Sequence, residues 1–346
     1  MPRGPSRPVR IASIVGGVPA VFAVWLALGS HSTGVAFFYS VPVGLTAWWF
    51  GRRAALTVAL ICIGLYVVGE AVHPVPEFAV ALLLRAVFLL AVALFISWIA
   101  ERLQVLEHSA EELEAIRAAL TPAELPDLSG VDAAAAFVPS ELGVSGDFYL
   151  LTNGPDGSTV AIVGDVVGHG PGAARLATFI RARFAAFAAS TSDPAELLTL
   201  ANAALVDRPR RERELVSAVC LRLAPDRETA LWARAGHPPP LRLPGLEELP
   251  LAGSTFLLGA EEGLELQNEE VSVTGSEGLV VFTDGATDVR RGRQLLGLEG
   301  LRGMLAPLSG LAARAMVGEV ERAILDWADR PIRDDLCLVV LKPESG

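Results

Sequence analysis

Thr159-Val-Ala-Ile-Val-Gly-Asp-Val-Val-Gly-His-Gly170 is the stretch on which the fold turns. Its apolar, β-branched opening reads as a buried strand at 159–163. The strand closes on Asp165, with glycines on either side. The same pattern recurs. Asp147 follows Gly146 at the start of a run at 147–152. Leu279-Val-Val-Phe-Thr283 leads into Asp284-Gly285. Asp334 and Asp335 stand just before Leu336-Cys-Leu-Val-Val-Leu341. Paired strands can bring such ends together, and four carboxylates in one place repel one another unless cations hold them. Short, hard oxygen ligands suit Mg²⁺ or Mn²⁺, and flanking glycines allow the backbone to approach closely. Taken singly, each motif is weak: Asp-Gly after a strand is ordinarily a turn, and Asp-Asp before a strand is ordinarily solvated.

Around these motifs, strands are expected at 131–138, 216–223, 229–235, 279–283 and 335–341, and helices at 172–188, 194–205 and 311–328. Asp193, Pro194 and Glu196 make a helix start of cap, first-turn proline and capping box. Strand runs with grouped helices predict an α+β domain built on antiparallel sheets.

The first hundred residues read differently. Apolar stretches at 11–28, 35–50, 54–72 and 78–100 predict an all-α membrane bundle of four helices. Arg3, Arg7 and Arg10 precede the first, Arg52 and Arg53 separate the second from the third, and Arg102 follows the fourth, while the other two loops lack Lys and Arg. That distribution predicts a multi-pass protein of the cytoplasmic membrane with both ends in the cytoplasm. Trp25, Trp48, Trp49 and Trp98 lie near span ends, as interfacial aromatics do. Arg85, within the fourth stretch, reads as a structural arginine or as a signal-sensing position.

From 101 to 121 the chain becomes charged and helical. Ile99, Leu103, Leu106, Ala110, Leu113 and Leu120 form a short apolar seam, which predicts a stalk pairing two copies or a helix packed on its own domain. The expected organisation is a membrane domain at 1–100, a helical linker at 101–121 and a catalytic domain at 122–346. Of 28 basic and 39 acidic residues, six Arg and two Glu precede Glu101, so the remainder carries 22 and 37, a net −15. Nucleic acid is excluded as a partner on that balance. Cys62, Cys220 and Cys337 are scattered and read as buried thiols rather than disulfides or zinc ligands.

Ser145-Gly-Asp-Phe-Tyr149, Gly164-Asp-Val-Val-Gly-His-Gly170, Ala235-Gly-His-Pro-Pro-Pro240, Phe282-Thr-Asp-Gly-Ala-Thr-Asp288 and Arg333-Asp-Asp-Leu336 occur in that order. With them the chain from about 120 to 342 resembles the SpoIIE/RsbU-type branch of the PP2C-like (PPM) serine/threonine phosphatases. The resemblance implies a sandwich of two antiparallel sheets flanked by helices and a site for two Mn²⁺ or Mg²⁺ ions. It assigns Asp165 as the bridging ligand, the Val166 carbonyl to one ion, Asp284 and Asp334 to the other, and Asp147 a role through water. It implies attack of an activated water on phosphoserine or phosphothreonine, with a STAS-domain anti-sigma-factor antagonist as the usual substrate of this branch. The chain departs from the family pattern at Ser145, Leu150 and Asp288. Val167 stands where better-known relatives carry histidine, and His169, two residues on, does not inherit an acid role; His237 either orients the loop near the site or caps it, and both histidines are read as structural. A membrane sensor whose phosphatase-like domain only binds a partner is the rival reading; a transporter with a cytoplasmic tail finds little support.

Overall fold

The computed structural model describes residues 6–28, 35–70, 78–120, 125–140, 146–208, 214–250, 256–274, 278–329 and 331–344. The chain divides into two compact units, Met1–Glu111 and Glu112–Gly346.

The first unit holds α1 (Arg7–Leu28), a 3-10 turn at Val35–Tyr39, α2 (Ser40–Glu70) and α3 (Phe78–Leu120). Three segments are long and apolar enough to cross a membrane: Arg7–Val24, Phe37–Val68 and Ala79–Val105. The expected second and third spans both fall within the middle segment, on either side of a break at one residue, Gly51 (φ 79°, ψ −177°), where a loop was expected. Packing shows what the break does. The Arg10 guanidinium lies 5.8 Å over the Trp49 ring, and Gly17 faces Pro42, so residues 40–50 run antiparallel to α1. Beyond Gly51 the chain turns back, and Tyr66 packs against Phe22 and Leu26 at the far end of α1.

Val18, Val43, Ala47, Ala55, Ala59, Cys62, Leu89 and Ala93 form the interior of this unit. Small residues let its helices approach closely: a Cβ on Gly44 would lie 2.9 Å from Ile96 Cδ1. Large apolar side chains such as Val15, Leu60, Leu83, Leu84 and Phe95 point outward, the pattern of a protein whose solvent is lipid. Arg85 stacks 4.2 Å over the Tyr66 ring. α3 continues without interruption to Leu120, and the side chains of the seam from Leu106 onward lie outside those described.

The second unit begins with β1 (Val131–Val138), β2 (Phe148–Asn153) and β3 (Thr159–Val166). Two helices follow, α4 (Pro171–Ala188) and α5 (Pro194–Val206). Next come β4 (Val216–Leu223), β5 (Thr229–Ala235), β6 (Leu241–Leu243), β7 (Glu247–Glu248), β8 (Glu269–Ser272) and β9 (Gly278–Phe282). A ribbon of β10 (Arg290–Arg291) and β11 (Gln294–Leu295) leads to α6 (Gly297–Leu305), α7 (Ala313–Trp327) and β12 (Leu336–Pro343). One sheet has the order β1-β12-β9-β6-β7 and the other β2-β3-β4-β5-β8. Every strand pair is antiparallel.

These strands read as continuous apolar runs because both faces are covered. In β4, Val216, Ala218 and Cys220 face α4 and α5, whereas Val219, Leu221 and Leu223 face the other sheet. In β12, Leu336, Leu338 and Val340 meet α6 and α7, while Cys337, Val339 and Leu341 meet the first sheet's partner across the sandwich. Strand periodicity of two, with helices outside each sheet, gives four layers. The three cysteines are free and buried. At the start of α5, Asp193 accepts from the Glu196 N–H at 2.9 Å, as expected of a cap. Glu196, however, accepts from the Thr191 hydroxyl at 2.5 Å, and the Asp193 N–H goes to that same hydroxyl at 3.2 Å, so Thr191 takes over half of the capping box.

Candidate active site

Strand pairing brings the aspartates to one end of the sandwich. β3 runs three residues further than the sequence reading placed it, so Asp165 lies within the strand, opposite Ser217 of β4. Its side chain has the parity of Ala161 and Val163, which face the space between the sheets. Gly146 explains how Asp147 reaches the same place. A Cβ there would fall 2.6 Å from the Val166 carbonyl oxygen, and the Val166 N–H donates to the Gly146 carbonyl at 3.2 Å. On the other sheet, Asp284 opens a short 3-10 turn after β9. A Cβ on Gly285 would overlap the Asp335 carbonyl oxygen at 1.7 Å, so only glycine lets this turn seat against Asp334 and Asp335.

Two residues that the sequence did not single out fix the arrangement. Thr283 is fully buried; its hydroxyl donates to Asp147 Oδ2 at 2.6 Å and accepts from the Cys337 N–H at 3.1 Å. It therefore ties β9, β12 and the start of β2 together. Asp335 is buried and accepts from the Ser140 N–H at 2.5 Å, whereas its neighbour Asp334 is exposed and accepts from the Asp335 N–H at 3.0 Å. The pair thus divides its work: Asp335 anchors and Asp334 faces the opening. Thr283 could have been noticed as the one polar residue in an otherwise apolar run; nothing in the sequence distinguishes Asp335 from Asp334.

The electrostatics follow from the crowding. Burial, then the Asp165 charge, pushes Asp147 well above the usual carboxylate range. Burial, with Asp284, Asp334 and Asp335 adding to it, pushes Asp165 up to about 7. The Asp147 and Asp165 carboxyls hydrogen-bond to each other. Asp284 and Asp334 are also raised, by burial first and by Asp288 among other acids. Exposed His169 lies near enough to Asp334 to oppose that rise. Burial depresses His237 to about 3, so it is neutral. Its Nε2–H donates to the Phe282 carbonyl at 3.1 Å, and its Nδ1 then accepts from the Ser217 hydroxyl at 2.8 Å. His237 is a strap from one sheet to the other.

The donor set is hard oxygen, acidic and crowded, which fits divalent cations better than any other partner. As placed, no three Asp, Glu, His or Cys side chains among the described residues converge closely enough to hold an ion. The Val166 carbonyl belongs to the same loop, pressed against Gly146.

Residues 155–344 match the family Stage II sporulation protein E (SpoIIE). The chain belongs to the SpoIIE family. Asp147 precedes the matched residues, and the fold brings it beside Asp165. No curated protein sequence matches the chain. Among solved structures, the SiaA-PP2C domain of Pseudomonas aeruginosa is similar with a TM-score of 0.59 at 20% identity, over 70% of this chain and 98% of that one. The RsbU and RsbW domains of Rv1364c from Mycobacterium tuberculosis give 0.56 at 21%, over 64% of this chain and 63% of that one. The PP2C phosphatase domain of SpoIIE from Bacillus subtilis, with a fragment of its regulatory domain, gives 0.50 at 18%, over 61% and 63%. At such identities the likeness establishes the fold: this SpoIIE-family domain is a PP2C-like sandwich of two antiparallel sheets flanked by helices.

Proposed function

We propose that this chain is a membrane-anchored protein serine/threonine phosphatase dependent on Mn²⁺ or Mg²⁺. The observation that carries the reading is the gathering of Asp147, Asp165, Asp284 and Asp334, from both sheets, at one acidic opening, where Asp165 raises the pKa of Asp147, and Asp284 and Asp334 raise that of Asp165. Asp165 would serve both ions, the Val166 carbonyl one, Asp284 and Asp334 the other, and Asp147 would act through water. When bound, such ions supply an activated water for in-line attack on phosphorus and neutralise the phosphoryl oxygens. The protein's own part is placement. Thr283 holds Asp147, Gly146 and Gly285 allow the loops to touch, and Asp334 and Asp284 remain open to solvent where a phosphorylated side chain would enter. Burial keeps the Cys220 and Cys337 thiols protonated, which leaves them unsuited to nucleophilic attack.

The substrate class in this reading is a phosphorylated STAS-domain anti-sigma-factor antagonist, and the active species is a homodimer paired through the linker at 101–121. The catalytic domain lies on the cytoplasmic side. Support for that sidedness comes from Arg10 packing beside Trp49, which sets the break at Gly51, and with it Arg52 and Arg53, at the level of the basic N-terminus.

The test is hydrolysis of a generic phosphate ester by the full chain in detergent against Mn²⁺ concentration. Asp165→Asn removes the shared ligand's charge and is expected to abolish turnover while the fold survives; Asp284→Asn and Asp334→Asn should do the same, Asp147→Asn less. An Asp165→Asn protein with normal rate and metal dependence overturns the reading in favour of a binding module.

A further inference from the structure

Beyond Asp288 the chain changes sign: Val289-Arg-Arg-Gly-Arg-Gln-Leu-Leu296 holds three arginines and no acid, in an otherwise acidic domain. These residues form the β10–β11 ribbon, with Arg290 opposite Leu295 and Arg291 opposite Gln294. Gly292, at φ 60°, makes the turn between them. The ribbon is rooted in the acidic site. The Asp288 N–H donates to the Asp284 carbonyl at 2.8 Å, the Gly297 N–H to the Thr287 carbonyl at 2.9 Å and the Leu296 N–H to the Val289 carbonyl at 2.9 Å. Both strands therefore leave from the turn that carries Asp284. Asp288 adds to the rise that burial gives the pKa of Asp284 and Asp334. Two residues of chain keep the Arg290 Cα within about 7 Å of that of Asp288.

The two faces of the ribbon differ. Arg291 serves the fold: its guanidinium lies 5.2 Å over the Trp327 ring and donates to the Trp327 carbonyl at 2.6 Å and the Asp326 carbonyl at 3.3 Å. The Gly292 N–H donates to Asp329 Oδ2 at 2.7 Å. These contacts pin the ribbon against the end of α7. Side chains alternate along a strand, so Arg290 and Leu295 share the opposite face. Both are exposed, as is Arg293 at the tip. Neither Arg290 nor Arg293 pairs with a carboxylate among the described residues. The ribbon thus presents two cations and an exposed leucine at the rim of the acidic opening. Exposed cations beside a cleft steer anionic partners toward it and discriminate among them. A lipid surface seated there would close the opening that the ribbon borders. A protein that brings a phosphorylated side chain to the opening lays its neighbouring residues on the ribbon.

We propose that Arg290 and Arg293 form a docking rim for the substrate protein, taking acidic residues that flank its phosphorylated serine or threonine. The proposal rests on the phosphatase reading for the phosphorylated side chain, and on the ribbon for the acidic flank.

The experiment uses the full chain in detergent with saturating Mn²⁺ and two synthetic phosphoserine peptides of equal length. The acidic peptide has glutamates beside the phosphoserine, and the neutral peptide has glutamines. Wild type is compared with Arg290→Gln/Arg293→Gln and with Arg290→Lys/Arg293→Lys, reading kcat/KM at low and high NaCl. Wild type should prefer the acidic peptide by roughly three- to tenfold at low salt, the scale of two exposed charge pairs, and lose the preference at high salt. Arg290→Gln/Arg293→Gln should abolish the preference and its salt dependence. Arg290→Lys/Arg293→Lys should keep both, because the charge remains. A wild type without the preference overturns the proposal. So does an equal loss on both peptides in Arg290→Gln/Arg293→Gln, which marks a disturbed Asp284 turn, or a preference that survives there. In phosphatidylcholine vesicles, wild-type turnover of the neutral peptide that rises with added phosphatidylserine, but does not rise in Arg290→Gln/Arg293→Gln, assigns the ribbon to lipid and also overturns it. If wild type hydrolyses neither peptide, fluorescence anisotropy of the labelled peptides separates the two ideas. Binding of the acidic peptide alone, abolished in Arg290→Gln/Arg293→Gln, keeps the docking rim and removes the phosphatase reading, whereas no binding removes both.

Discussion

Asp165 shows how a single carboxyl links structure to solution behaviour. Its pKa in the ion-free protein is about 7, against about 3.9 for an unfolded aspartate. Below about pH 4 both states hold the proton. As pH rises, the unfolded chain releases it first, so the stability this group contributes falls and levels off only above about 7. The melting temperature of the chain in EDTA should therefore fall between pH 4 and 7, and Asp165→Asn should flatten that slope. Mn²⁺ added at pH 7 should restore the wild type and leave the variant little changed. A melting temperature that rises across this window would contradict the placement of Asp165. Thr283 offers a second measurement. Thr283→Val keeps the shape but strips a donor from Asp147 and an acceptor from the Cys337 N–H. Two buried groups then each lose a hydrogen bond, at about 1–3 kcal/mol each, which chemical denaturation of the two proteins would reveal. An unchanged midpoint would show that the hydroxyl is dispensable.

At the scale of elements, the turns at strand ends decide the site, and glycines decide the turns. Gly285→Ala drives a methyl into the Asp335 carbonyl. Backbone cannot yield as a flexible side chain does, so the loss should exceed ~2 kcal/mol and take activity with it. Gly318, inside α7, has nothing within 4 Å of its missing Cβ, so Gly318→Ala should stabilise by about 0.5–1 kcal/mol and leave the site alone. Thermal unfolding of the two variants side by side tests the contrast; equal effects would mean that the turn at Asp284 is not seated as described. The strand cores were legible in the sequence, because continuous β-branched runs bounded by glycine have few other solutions. The short strands β6–β8, the ribbon β10–β11 and α6 were not, being two to nine residues long and held by what they pack against.

For the whole molecule, the question is which side of the membrane each end occupies. Reporter fusions after Gly34 and after Arg53 should report opposite sides, because the chain turns back at Gly51. Two exposed arginines left inside a bilayer would cost about 2.5–3.5 kcal/mol each by insertion scales. Reporters on the same side would remove both the turn and the cytoplasmic placement. The linker carries its own test: Leu106→Asp with Leu113→Asp should convert a dimer to a monomer, read by light scattering of the full chain in detergent. A wild type already monomeric at high concentration would end the stalk proposal.

The division between the two domains was written in the sequence, since apolar length and the placement of arginine are properties of the chain itself. So were Asp147, Asp165, Asp284 and Asp334 as candidates, through strand-end motifs that resemble those of the SpoIIE/RsbU-type phosphatases. What the chain could not state is which groups hold those ligands. Thr283 and Asp335 act on partners 136 and 195 residues away. The reversal between the second and third apolar stretches was signalled by Arg52 and Arg53, but that one residue, Gly51, makes it was not; helix packing shows it, with Trp49 beside Arg10 and Tyr66 beside Leu26.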